Sequence, residues 1–446
     1  MERLRTSQIW AAWWPLAASW LLMGIEQPAI AAVIARLPDT KVQLAAYGSV
    51  VFPIALLIEA PIIMLLAAST ELSRDRARYA QMARYTRLMG IGLTVVHIVA
   101  AATPAGPWFI EAALSVPPEV AEASRPGLWL MIPWSWAIAS RRTGQGLLIR
   151  TGKSRVVGLA TGVRLGVSST VLLTGVLTQS ASGVEIGAAA LSIGVLSEAA
   201  FVHGFVRRVV ATQLPATSDA PPLSGAGFLS FYVPLALTPV VILVIQPIGT
   251  AAISRMPEVL GSLAVWPVVV GLGFVLQSVG LAFNEVVVAL VGRPGARELL
   301  WRFAWRLALT LTAIWLAFSM SPLASLWFEH VANLPSDLVE PALLGLLFAS
   351  PQPASRVLQS WFQGLLVSEH RTRPITEAVV VFGLACGAVF VVGVAWQGTA
   401  GVYMAVLGFT AGRAAQTGWL WWRCRGLLAG EATSAARANP EREGDR

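Results

Sequence analysis

Four polar residues, Gln352, Arg356, Gln359 and Gln363, follow one another at spacings of four, three and four. That spacing places them on one face of a helix. The stretch around them is largely apolar, so the face is a polar stripe through an otherwise hydrophobic segment. Arginine keeps its charge when desolvated and forks onto a carboxylate or phosphate. The stripe therefore carries the chemistry for holding an anion. The plainer reading is that its amides join one helix to another. Arg164 and Arg413 also fall inside apolar stretches. A buried arginine costs several kcal/mol or more unless it meets a partner or a water-filled space, although Arg164 is near enough to a helix end to snorkel.

A second group is built around proline. Glu26-Gln27-Pro28 and Ile245-Gln246-Pro247 each put a glutamine beside a residue that bends a helix and frees a backbone carbonyl. Gln27 and Gln246 are candidates for a gate or binding site, or mark a shared structural bend. Glu26 has the chemistry for a proton or Na⁺ site, for pairing with an arginine such as Arg36, or for contacting substrate; Glu59 and Glu198 are further coupling-ion candidates. Arg36 and Arg255 stand two residues before Pro38 and Pro257. Two such cations suit guidance of an anion or anchoring to phosphate head groups.

The elements that must hold these residues are supplied twice. Pro15, Gln27, Pro28, Arg36 and Pro38 recur as Pro234, Gln246, Pro247, Arg255 and Pro257 at a constant shift of 219. After a one-residue slip the shift is 218, with Gln145-Gly-Leu-Leu recurring as Gln363-Gly-Leu-Leu, read as paired structural loops. Duplicated halves in an apolar chain are a common construction of secondary transporters, with the substrate path between them. Residues shared by both copies suit a common frame. Unshared ones, Glu26 and the Gln352–Arg356–Gln359 stripe, suit substrate chemistry.

The 446 residues are 56% hydrophobic and only 13% charged, against about 25% charged in a soluble domain. Uncharged runs of about 20 residues cross a bilayer as helix, and the alternation of a membrane barrel is missing. The chain reads as all-α and polytopic, with twelve transmembrane helices in two six-helix pseudo-symmetric lobes. The spans fall at 8–34, 43–69, 87–110, 126–141, 156–180, 184–207, 228–252, 259–286, 303–327, 340–366, 374–396 and 400–422. The lobes are 1–210 and 227–426, with a Pro/Ser/Thr-rich linker at 211–226 and a polar tail, read as disordered, at 427–446. Arginines crowd the loops on one side, which places both termini in the cytoplasm and the chain in the inner (plasma) membrane. The net charge of +8 is thus explained by topology and not by nucleic acid. Two cysteines with no Cys/His cluster suggest no metal. A phosphate-binding GxxxxGK[ST] loop is absent. The chain reads as a monomer without cofactor, and not an enzyme.

Glu26-Gln27, Tyr47-Gly48, Ser73-Arg74-Asp75-Arg76, Phe231-Tyr232-Val233-Pro234-Leu235-Ala236-Leu237, Pro247-Ile248 and Ser254-Arg255 resemble the multidrug/oligosaccharidyl-lipid/polysaccharide exporter superfamily, whose best-known branch is the MATE transporters. Within it the chain is most similar to the progressive ankylosis family. The resemblance implies a two-lobed alternating-access exporter. It also implies anionic substrates such as citrate, nucleotides or pyrophosphate, with Glu26, Gln27 and Arg255 in the site. The chain departs from MATE drug antiporters in placing all five aspartates outside the spans, which puts their usual H⁺ or Na⁺ coupling in doubt. The leading expectation is export of a small organic anion through a bilayer. The alternatives are cation or drug antiport, with the 18 tryptophans offering cation–π contacts, and lipid-linked head-group flipping.

Overall fold

A computed structural model describes residues 4–216, 223–369 and 371–437. Part of the linker, 217–222, and the last residues, 438–446, lie outside the described residues. Twelve helical rods succeed one another: α1 (Thr6–Ile34), α2 (Thr40–Leu72), α3 (Arg76–Ala102), α4 (Pro118–Leu130 continuing as Ile132–Arg150), α5 (Ser154–Thr178) and α6 (Gly183–Thr212). Then come α7 (Gly225–Ile253), α8 (Val259–Leu290), α9 (Ala296–Ser319), α10 (Ser336–Phe348 continuing as Gln352–Ser368), α11 (Arg373–Trp396) and α12 (Gly401–Arg437). Among the described residues nine rods are long and apolar enough to cross a bilayer unaided. The others are α4 and α10, each interrupted just before a proline at its second segment's start, and the more polar α12. Large apolar side chains such as Leu177, Met320, Leu384 and Val391 stand exposed on the outer surface. Lipid suits that surface; water does not.

Three boundaries differ from the sequence reading. Helix α3 starts at Arg76 because the Asp75 side chain accepts from the Arg78 backbone N–H at 2.8 Å and caps it. It stops at Ala102, and a separate short helix follows Pro104. The Gln-Gly-Leu-Leu segments are not loops: they sit inside the second halves of α4 and α10. The last helix runs to Arg437 where disorder was expected from residue 427, carried by helix-favouring leucines and alanines.

The repeat is visible in the backbone itself. Among the described residues six non-glycine residues adopt a left-handed conformation: Asp39, Ser115 and Gln179, and Glu258, Asn333 and Gln397. They pair at shifts of 219, 218 and 218, so the same three turns are built twice. Helices α3–α6 pack together through contacts such as the Thr86–Thr143 hydroxyl bond at 2.7 Å. Helices α9–α12 do likewise, with the Trp315 indole donating to the Leu346 carbonyl at 2.8 Å. The first helix of each repeat leans across to the other lobe at the arginine-rich end. Trp13 of α1 donates to the Val279 carbonyl of α8 at 3.2 Å. Tyr232 of α7 donates to the Pro61 carbonyl of α2 at 2.6 Å. Hydrogen bonds of this kind, and close packing, hold helices together where lipid is as apolar as the core.

The proline bends are unequal. Helix α1 carries Pro15 and Pro28 without a break. Helix α7 breaks at Val244 and restarts at Ile245, two residues before Pro247.

Candidate functional site

A cavity of about 410 Å³ lies between the lobes. Its walls come from α1, α2, α7, α8, α10 and α12. Of the sequence candidates, Gln27, Gln246, Gln352, Arg356 and Arg413 line it. Tyr47, Gln277, Trp266 and Phe274 complete the chemically distinctive lining. Among the described residues no carboxylate lines it.

The polar groups are tied back to the second lobe. Gln277 donates to Gln352 at 3.0 Å, and Gln352 donates to the Thr410 hydroxyl at 2.8 Å. Gln359 lies behind the wall, donating at 3.1 Å to both the Arg413 carbonyl and the Thr417 hydroxyl. Arg356 reaches Gln359 at 3.4 Å, and Arg413 reaches Gln416 at 3.3 Å while its guanidinium stacks 4.7 Å over Phe382. Among the described residues, the charge placed to act on Arg356 is Arg413, a like charge that also lines the cavity. The Arg356 Nε has no hydrogen-bond partner among the described residues. Two cations thus face the cavity on neutral supports.

The remaining candidates are elsewhere. Glu26 and Glu198 belong to a buried network in the first lobe. Arg141 binds Glu198 at 2.7 Å, and Gln145 donates to the same carboxylate at 3.0 Å. Arg164 bridges Glu26 at 3.3 Å and Glu198 at 3.7 Å. Ser168 donates to Glu26 at 3.3 Å. Glu59 is buried in the field of Arg142 and Arg141. Glu26 and Glu198 are therefore paired with Arg141 and Arg164, while one Glu59 carboxylate oxygen has no hydrogen-bond partner among the described residues. Arg164 does not snorkel, and Arg141 is only 8% exposed at its side chain.

Comparing the two copies explains the contrast. Glu26, Glu59, Arg141, Arg142, Arg164 and Glu198 correspond to Ile245, Ser278, Gln359, Ser360, Phe382 and Gln416. Every charge of the first network is neutral in the second. Conversely Arg356 and Arg413 correspond to Ile138 and Val195. Each lies one helical turn before the glutamine that replaces a charged residue.

Arg36 and Arg255 lie at the opposite end, acidic through Glu111, Glu119, Glu122, Glu329, Asp337 and Glu340, and cross between lobes. Arg36 donates to the His330 carbonyl at 3.0 Å and Arg255 to the Ala113 carbonyl at 3.0 Å. Each also caps its own helix through Ala32 and Ala251. Nearby, Lys41 pairs with Asp337 and Asn333 donates to the Ala35 carbonyl at 2.9 Å. Deeper in the seam, Ser49 donates to Leu263 and Thr250 to Ser49, both at 2.7 Å. Gly48 makes this approach possible, since a Cβ there would lie 2.2 Å from the Pro267 ring. The lobes are sealed at the acidic end.

Sequence reasoning missed the role of Arg141 because it sits beside Arg142 and Arg150, which reads as a loop cluster. Tyr47 was hidden because a π-helical turn, Ala46–Val51, sets its direction; the adjacent Gly48 was the available signal.

No family model matches the chain, and no curated protein matches it in sequence. Solved structures do match. One is a multidrug resistance MATE family transporter of the MOP superfamily in an inward-facing conformation, with a TM-score of 0.72 at 14% identity, covering 92% of this chain and 98% of that one. The chain has the MATE-transporter fold. The lipid II flippase MurJ in an inward closed conformation matches with a TM-score of 0.65 at 12% identity, over 92% and 87% of the two chains. A MOP superfamily transporter from Pyrococcus furiosus Vc1 matches at 0.59 and 14% identity over 95% and 98%; reverse polarity of its binding pocket is said to suggest a different function. The MATE fold accounts for two lobes with a cavity between them.

Proposed function

We propose that the protein is a secondary transporter that works by alternating access and exports small organic or phosphate-containing anions. The observation that carries this reading is the pair Arg356 and Arg413, which gives the central cavity two positive charges and no negative one among the described residues. A cation entering that space meets repulsion; an anion meets two forked donors in a low-dielectric wall, where charge-assisted hydrogen bonds are strong. The reading agrees with the resemblance to the progressive ankylosis family.

With the arginine-rich end in the cytoplasm, the contacts at the other end close the cavity on its outer side. Anion binding lowers the positive charge of the cavity, the lobes rock about α1 and α7, and the seal at Arg36 and Arg255 opens. An inside-negative potential favours anion exit by about 2.3 kcal/mol per charge per 100 mV. Antiport of cations coupled to H⁺ or Na⁺ needs a titratable or cation-binding carboxylate within reach. Glu26 and Glu198 are instead occupied by arginines.

The test is efflux from proteoliposomes loaded in turn with radiolabelled anions and with cationic dyes, for the wild type and Arg356→Gln. Anion efflux that falls at least tenfold in the variant, with unchanged reconstitution, supports the reading. Proton-driven movement of cationic dyes alone sinks it. Movement of lipid-linked head groups without soluble anions moves the protein to the flippase class.

A further inference from the structure

The cavity's wall narrows the substrate further, given that the anion reading holds. Among the described residues its charge is confined to Arg356 and Arg413 on α10 and α12. Two of its four glutamines, Gln277 and Gln352, are already spent on each other and on Thr410. The rest of the lining is overwhelmingly apolar and includes five aromatic rings, Tyr47, Phe52, Trp266, Phe274 and Phe409. Trp266 and Phe409 already contact each other, with centroids 5.0 Å apart.

A polyanion with no apolar surface fits this wall poorly. Citrate and pyrophosphate concentrate several charges in a small volume. Two guanidiniums leave part of that charge uncompensated against hydrocarbon and aromatic walls, where an unpaired charge is costly. A cavity of about 410 Å³ falls within the roughly 300–1,000 Å³ of ordinary small-molecule sites, which combine apolar walls with a few placed polar groups.

We infer that the substrate is an amphipathic organic anion, with a single carboxylate or phosphate head held between Arg356 and Arg413 and an apolar, ring- or chain-like body lying against Phe52, Trp266 and Phe274. The head sets the charge requirement and the body supplies most of the binding through removal of apolar surface from water. The aromatic walls do not select cations here, because the guanidiniums share the same space.

The test uses purified full-length protein and ligand-dependent thermal stabilisation, which reports Kd through linkage. The probes are butanoate, hexanoate and octanoate, phenylpropanoate and phenyl phosphate, citrate, pyrophosphate, octanamide and octylamine. Affinity is expected to rise about fourfold per added methylene from butanoate to octanoate, the equivalent of about 0.8 kcal/mol each. Octanamide, citrate and pyrophosphate are expected to bind at least tenfold more weakly than octanoate. In Arg356→Gln/Arg413→Gln the preference for octanoate over octanamide disappears while the dependence on chain length stays, which shows an intact cavity. Citrate or pyrophosphate binding more tightly than octanoate, with no gain along the chain series, overturns the amphipathic substrate and leaves the anion reading standing. Octylamine binding more tightly than every anion overturns both.

Discussion

Replacing Glu198 with glutamine removes the acid that holds two arginines in the first lobe. Its side chain is fully buried and Arg141 is 2.7 Å away. At an effective dielectric of about 20, that separation corresponds to an attraction of about 6 kcal/mol. Much of it offsets the cost of taking both charges out of water. Removing one partner alone leaves an uncompensated buried charge, and the usual loss is about 3–5 kcal/mol. The second lobe indicates the repair. At the positions equivalent to Arg141 and Glu198 it carries Gln359 and Gln416. The double variant Arg141→Gln/Glu198→Gln copies that neutral solution and leaves Arg164 with Glu26 at 3.3 Å. Unfolding of the purified protein, followed by tryptophan fluorescence against heat or denaturant, reads the effect. The single variant is expected to lose about 3–5 kcal/mol and the double to return to within about 1 kcal/mol of wild type. A single variant as stable as wild type, or a double variant no better than the single, refutes the assignment of this network as a mutually neutralising core.

Other outcomes follow from the seam at the acidic end. Arg36→Ala with Arg255→Ala removes two exposed cross-lobe hydrogen bonds, worth together about 1–2 kcal/mol; spin-label distances across the seam at Glu119 and Glu340 should show an open population raised about tenfold, and an unchanged distribution rules out the latch. Gly48→Ala places a methyl group 2.2 Å from the Pro267 Cβ; a stability loss of about 1–3 kcal/mol in thermal melting is expected, largely reversed by Pro267→Gly, which removes that Cβ, and a neutral Gly48→Ala shows that the helices separate freely there.

Much of the architecture was legible because the duplication and the long apolar runs are one-dimensional signals. The Gln352–Arg356–Gln359 stripe was legible for the same reason: helical spacing fixes a face. Its division of labour was not, since only packing decides that Gln352 and Arg356 reach the cavity while Gln359 stands behind. The glutamates show the limit most clearly. Glu26 and Glu198 are far apart in the chain, and their partners Arg164 and Arg141 lie on two other helices. A one-dimensional pattern carries no information on such pairing, so coupling-ion candidates emerged as members of a charge-balanced core. Arg36 and Arg255 were visible as a symmetric pair, but their reach to carbonyls of the opposite lobe depends on how the halves close.

The sign of the charge carried by a bound substrate tests the central claim most directly. Proteoliposomes containing the wild-type protein, with the membrane potential clamped by potassium and valinomycin, are given an organic anion such as phenylpropanoate on one side and no proton or sodium gradient. A net movement of negative charge is expected, driven towards the positive side to a limit of about fifty-fold per 100 mV for a monovalent anion, and lost in Arg356→Gln/Arg413→Gln. Transport that moves positive charge, or that proceeds only as cation exchange for protons and persists in the double variant, contradicts the account.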